Sequence, residues 1–147
     1  MIFISHRGNT HGTNPNRENH PDYIDEAITH GFVVEIDVWF LNYKWWLGHD
    51  KPQYNLSPQL FAYDTNNLIF HAKNPTALEK LMEYSDKHFF WHQEDEYTIT
   101  SNGIVWVYPT KKLLSGSVCV LPEKGINGNI NKCWGICSDF IENYKNL

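Results

Sequence analysis

The stretch Phe32-Val33-Val34-Glu35-Ile36-Asp37-Val38-Trp39-Phe40 constrains this chain more than any other. Its β-branched and aromatic residues read as a strand. Side chains alternate across a strand, so Glu35 and Asp37 point the same way with Cα atoms roughly 6.6 Å apart, while Val34, Ile36 and Val38 point the other way. Burying two unpaired carboxylates costs several kcal/mol or raises a pKa, which predicts a cation between them. Oxygen ligands favour a hard divalent ion, Mg²⁺ or Ca²⁺. An exposed strand face is the competing reading, and the hydrophobic flanks weigh against it.

Six other segments read as strands: Ile2–Ser5, Leu68–Ala72, His88–His92, Gly103–Tyr108, Ser117–Leu121 and Trp134–Cys137. Asp22–His30 reads as a helix, with Ile24, Ala27 and Ile28 on one face and Gly31 as its stop. Pro75–Tyr84 reads as a second helix, opened by Asn74 as N-cap and Pro75 at the first helical position. After Phe40 the chain continues into a hairpin turning near Asn42-Tyr43.

Strand, helix, strand, helix, strand is the rhythm of a parallel sheet with crossovers. The later connections are too short for full helices, and a closed barrel of eight such units typically needs about 250 residues. The expectation is therefore an α/β fold of the trimmed TIM-barrel type: about seven strands, shortened helices and a hairpin after strand two. A doubly wound sheet is the alternative. At 147 residues a single domain spanning 1–147 is expected. A missing strand would leave an exposed barrel edge that a second copy would cover, which makes a homodimer one expected arrangement.

The net charge is −5, from 12 basic and 17 acidic residues, so nothing tracks a nucleic-acid backbone. No run of about 18 apolar residues predicts a membrane span, and the start MIFISHRG has no signal-like basic region, which points to the cytoplasm. Cys119, Cys133 and Cys137 lack a second pair at zinc spacing and read as buried thiols. Six Trp, eight Tyr and eight Phe supply bulk for the core of a short chain.

Two histidines converge on the acidic pair. A two- or three-residue turn at Asn42 brings His49, in Gly48-His49-Asp50, opposite Asp37 or one position off it. His6, at the carboxyl end of the first strand, reaches the same place. Histidines beside a cation suit general acid and general base work, because their ordinary pKa lies near 6.5.

His6-Arg7-Gly8, Glu18-Asn19 after a Pro-containing loop, Glu35-x-Asp37 on a strand and His49-Asp50 after a hairpin together resemble the N-terminal signature of glycerophosphodiester phosphodiesterases. The ordered match covers residues 2 to 50. The resemblance implies that His6 and His49 are the catalytic pair, that Arg7 contacts phosphate, that Glu35 and Asp37 bind a divalent metal, and that Glu18 lines the site. It also implies a TIM-barrel scaffold and attack by a neighbouring substrate hydroxyl through a cyclic phosphate.

Further along, Lys73 resembles the family's phosphate-binding lysine, and His71 stands where the family has an acidic metal ligand. As a ligand, neutral His71 would weaken Mg²⁺ or Ca²⁺ and favour Mn²⁺, Zn²⁺ or another transition metal; otherwise it is a substrate contact and water completes the shell. His92, Glu123 and Asp139 follow later strands and are candidates to line the site, since function collects at the carboxyl rim of a parallel barrel. Trp106, Tyr108 and Trp134 read as core packing or as pocket wall.

The expected activity is metal-dependent hydrolysis of a small phosphodiester, a glycerophosphodiester or related phospholipid headgroup, to glycerol 3-phosphate and an alcohol. The alternatives are a non-catalytic metal- and phosphate-binding module, a phospholipase-D-like enzyme on lysophospholipids, and a nuclease restricted to short nucleotide diesters.

Overall fold

In the computed structural model, which describes residues 1–62 and 66–147, the valine face of the second strand packs against helices and its acidic face turns to the inside of a curled sheet. The described elements are β1 (Ile2–His6), α1 (Pro21–Thr29), β2 (Val33–Leu41), β3 (Lys44–Leu47), β4 (Tyr54–Asn55), α2 (Pro58–Phe61), β5 (Leu68–Ala72), α3 (Pro75–Leu81), β6 (His88–Trp91), β7 (Tyr97–Ile99), β8 (Val105–Val107), β9 (Val118–Val120) and β10 (Gly135–Ser138). Short 3-10 turns fill the later connections.

All ten strands belong to one mixed sheet. Parallel pairings run β6-β5-β2-β1-β10-β9-β8, while β3, β4 and β7 add antiparallel pairs. The far end of β2 pairs with β3 (Val38↔Leu47), and its nearer part pairs with β5 (Val34↔Leu68).

The trimmed TIM barrel expected from the strand–helix rhythm does not form. The sheet curls into an open half-barrel with three α-helices among the described residues, and β6 and β8 are not ladder partners. The physical reason lies between them: residues 92–104 carry no crossover helix, and β7 folds back antiparallel on β8. Side-chain and loop bonds tie this hairpin to β6, with Thr98 Oγ1 donating to the Trp91 carbonyl (2.8 Å) and Ser101 N to the Phe89 carbonyl (2.8 Å).

The helices cover one part of the convex face. Ile24 and Ala27 of α1, Leu60 of α2, and Ala77 and Leu81 of α3 bury Val34, Ile36, Val38, Leu68 and Phe70. Asn74 caps α3 by accepting from Ala77 N (3.2 Å) and pins β2 through paired bonds with the Phe40 backbone (3.1 Å each). On the concave side Ile4, Ile69, Phe90, Trp106, Val118, Val120 and Cys137 form a second core. The three cysteines are free thiols, all buried. No helix among the described residues is long and apolar enough to cross a membrane.

Candidate functional site

Two backbone devices carry the site's loops. The Asn42-Tyr43 turn has two residues, both with positive φ (50° and 60°), the conformation that suits the right-handed twist of a two-residue hairpin. It sets Val38 opposite Leu47, so Gly48 N donates to the Asp37 carbonyl (3.1 Å) and His49 falls one position off Asp37. Gly48 is required there: φ is 145°, and a Cβ would sit 2.1 Å from the Lys51 carbonyl oxygen. Gly8, at φ 93°, plays a similar part after His6-Arg7, since a Cβ would meet the Tyr23 ring at 2.7 Å.

Glu35, Asp37 and His71 come together at β2 and β5, which place Asp37 beside His71 in register. All three are buried. His71 Nδ1 lies 3.0 Å from Asp37 Oδ1 and 3.4 Å from Glu35 Oε1. Its Nε2 is 3.0 Å from the His92 carbonyl, and its ring stacks on Phe90 (4.7 Å between centroids, 16°). Burial opposes charging of His71, yet the Asp37 and Glu35 carboxylates outweigh it and raise its pKa to about 9. For Asp37, burial acts upward and is overcome by His71, Arg7 and Lys73, which hold the carboxyl far below its ordinary range.

Two carboxylate oxygens in this cluster, Glu35 Oε2 and Asp37 Oδ1, are buried without a hydrogen-bond partner. His71 Nδ1 approaches Asp37 Oδ1 at 3.0 Å without hydrogen-bond alignment, and Lys73 Nζ, at 3.6 Å, lies beyond hydrogen-bond reach, so both are ionic contacts. Buried lone pairs left in this way are costly and fit a cation. Glu35, Asp37 and His71 could therefore hold a metal ion: one ligand atom from each lies within 4.8 Å of the others.

His6 leaves β1 beside this cluster. Its Nδ1 is 2.6 Å from Asp139 Oδ1, and because an ionised carboxylate only accepts, that nitrogen carries the hydrogen and Nε2 is left free, 3.9 Å from Glu35 Oε2. Burial would raise the Asp139 pKa, but contacts with His6, Asn9 and Arg7 lower it. His49 repeats the pattern at the other loop, with Nδ1 2.7 Å from Asp50 Oδ1 in a more exposed setting.

Arg7 joins the parts. Its Nε is 2.9 Å from Asp37 Oδ2, an ion pair without hydrogen-bond alignment, and Nη1 donates to Glu18 Oε2 (3.2 Å). Burial would lower its pKa; Asp37, Glu35 and Glu18 raise it instead.

His6, Arg7, Glu18, Glu35, His49, His71, Lys73, His92 and Asp139 line one cavity of about 560 Å³, with Asp37 beneath it at 0% exposure. His92 stacks on Tyr108 there (3.6 Å, 12°) and binds the Asp95 carbonyl through Nε2 (2.8 Å). Trp106 and Tyr108 wall the cavity; Trp134 does not. Glu123 is not brought to the cavity. It accepts from Ser138 Oγ and Asp139 N (2.9 Å each) and braces Asp139 from behind, while its neighbour Lys124 faces the cavity. A left-handed Leu121 (φ 45°) before a 3-10 turn produces this exchange.

Two buried asparagines escaped the sequence reading. Asn9 Nδ2 donates to Asp139 Oδ1 (2.8 Å) and Glu18 Oε1 (3.0 Å), linking the two acids. Asn19 grips Asp37 twice, donating to Oδ2 and accepting from the backbone N–H at 2.9 Å each. Asn19 stood in the signature without a role; its positive φ of 62° and its burial were the signals that only the fold exposes. Comparisons of the chain with protein-family models, with curated proteins and with solved structures found no match in any of the three.

Proposed function

We propose that this chain is a metal-dependent phosphodiesterase acting on small glycerophosphodiesters. The observation that carries the reading is the pairing of two histidines, each with Nδ1 held by an aspartate, in one cavity above two buried carboxylates. The resemblance of residues 2 to 50 to the glycerophosphodiester phosphodiesterase signature supports it.

The chemistry divides among named groups. Arg7 and Lys73 draw the anionic diester into the cavity and offset the charge gathering on its oxygens. His6 Nε2 takes the proton from a substrate hydroxyl as its oxygen bonds to phosphorus, and His49 gives a proton to the departing alcohol oxygen as the old P–O bond breaks. The product of that step is a cyclic phosphate. Water then opens the ring with the roles reversed, His49 accepting its proton and His6 returning one to the ring oxygen. A divalent cation held by Glu35, Asp37 and His71, when bound, supplies Lewis-acid stabilisation of that charge.

The test is phosphorus NMR of glycerophosphocholine, glycerophosphoethanolamine and a lysophospholipid, with chelator and with added divalent metals, for the parent, His6→Ala and His49→Ala. Metal-dependent turnover lost in both variants is expected. Absence of turnover across the panel, or turnover that survives both substitutions, refutes the proposal.

A further inference from the structure

We infer that the Glu35, Asp37 and His71 cluster selects a first-row transition ion of the Mn²⁺ to Zn²⁺ series over Mg²⁺ and Ca²⁺, and that His71 sets this choice. The inference rests on the metal-dependent reading above and names the class of its metal.

Three features of the cluster carry it. The first is a shortage of oxygen. Asp37 Oδ2 is committed to Asn19 Nδ2 and lies against Arg7 Nε (2.9 Å each), so Asp37 has only Oδ1 to give. With both oxygens of Glu35 the cluster offers three, whereas Ca²⁺ takes roughly six to eight oxygen ligands.

The second is the built orientation of His71. The His92 carbonyl only accepts, so His71 Nε2 carries its hydrogen toward that oxygen, and Nδ1 is the nitrogen presented to Glu35 and Asp37. The ring is fixed on its flat side by Phe90. A backbone carbonyl behind an imidazole is a common way to aim a metal-binding histidine.

The third is charge. Hard ions are held mainly by net negative charge, and here Arg7 and Lys73, 2.9 and 3.6 Å from the two Asp37 oxygens, already offset much of it. An ion that gains from bonding to imidazole nitrogen loses less by this than Mg²⁺ or Ca²⁺ does.

Binding of Mg²⁺, Ca²⁺, Mn²⁺, Co²⁺ and Zn²⁺ to the full chain, measured by calorimetry without substrate, tests the inference. One stoichiometric site is expected, at least about tenfold tighter for Co²⁺ and Zn²⁺ than for Mg²⁺, with Mn²⁺ between them. The visible absorption of bound Co²⁺ reports the ligand set, and Glu35→Gln is expected to abolish it. His71→Asp should narrow the gap by strengthening Mg²⁺ and weakening Zn²⁺.

Mg²⁺ or Ca²⁺ binding as tightly as Zn²⁺ overturns the inference. So does a stoichiometric Co²⁺ site that persists in Glu35→Gln, since the ion would then sit on other side chains. Both decisive measurements stand even where His71→Asp does not fold. Tight Co²⁺ binding without diester turnover sinks the proposed reaction and leaves the metal choice intact; turnover with Mg²⁺ and weak Zn²⁺ binding does the reverse.

Discussion

Asn19→Ala is the substitution whose cost can be worked most directly from the geometry. Asn19 accepts from Asp37 N and donates to Asp37 Oδ2, and all of these atoms lie in buried residues. Truncation leaves the Asp37 N–H without a partner, and a buried donor stranded in this way costs about 1–3 kcal/mol. The bond to the charged oxygen adds about 1.5 kcal/mol, the low end for such bonds, because Arg7 Nε still lies 2.9 Å from Oδ2. Alanine must also hold the left-handed backbone at φ 62°, a further cost of about 1 kcal/mol. The sum is about 3.5–5.5 kcal/mol for Asn19→Ala, while Asn19→Gly, free of the backbone cost, should lose about 2.5–4.5 kcal/mol.

Urea unfolding followed by tryptophan fluorescence measures both, and the six tryptophans provide signal. A loss under about 1 kcal/mol for Asn19→Ala would mean that water or a shifted loop replaces the amide at Asp37. Equal losses for the two variants would refute the backbone part of the reasoning alone.

Asp139→Asn keeps the size of the group but lets an amide face His6 Nδ1, which releases the ring to present the wrong tautomer. If the proposed reaction holds, a fall in kcat of about 10²- to 10⁴-fold is expected, with Co²⁺ affinity unchanged; a variant with normal kcat would remove Asp139 from the proposed mechanism. Stability should also depend on pH in protein kept metal-free by chelator. His71 has its pKa raised from 6.5 to about 9, so its stabilising contribution is complete below pH 6.5 and is lost as pH rises through about 9. Asp37 is shifted the opposite way, and its contribution is lost only as pH falls to strongly acidic values. Unfolding midpoints should therefore decline between pH 6.5 and 9 and flatten in His71→Gln; a flat profile for the parent would contradict the raised pKa.

Much of the site could be read from local pattern. Alternation along β2 put Glu35 and Asp37 together, and the hairpin register put His49 one residue away from Asp37, because both depend only on strand geometry and one short turn. What failed was set by contacts distant in sequence. The barrel was read from a rhythm of neighbouring elements, but closure depends on whether β6 and β8 pair, and the segment between them became a hairpin strand instead. The exchange of Glu123 for Lys124 turned on a single left-handed residue, Leu121, whose type gives no hint of that conformation. Asn9 and Asn19 carry no local signal of their roles, because Asp139, which follows β10, and Asp37, on β2, reach them only in the folded chain.

The pairing of β1 with β10 has a consequence for the order in which the protein becomes competent. Ile2 lies against Gly135, and His6 meets a carboxylate 133 residues further along the chain. During synthesis the residues of the Arg7–Glu18 contact and of the β2–β3 hairpin emerge early, whereas Asp139, the partner of His6, follows only after β10. A chain made only as far as β9 thus holds Glu35, Asp37, His71 and both histidines, yet leaves His6 without its Asp139 partner. In the proposed mechanism, therefore, the base is ordered only after β10 has paired with β1 and carried Asp139 to His6.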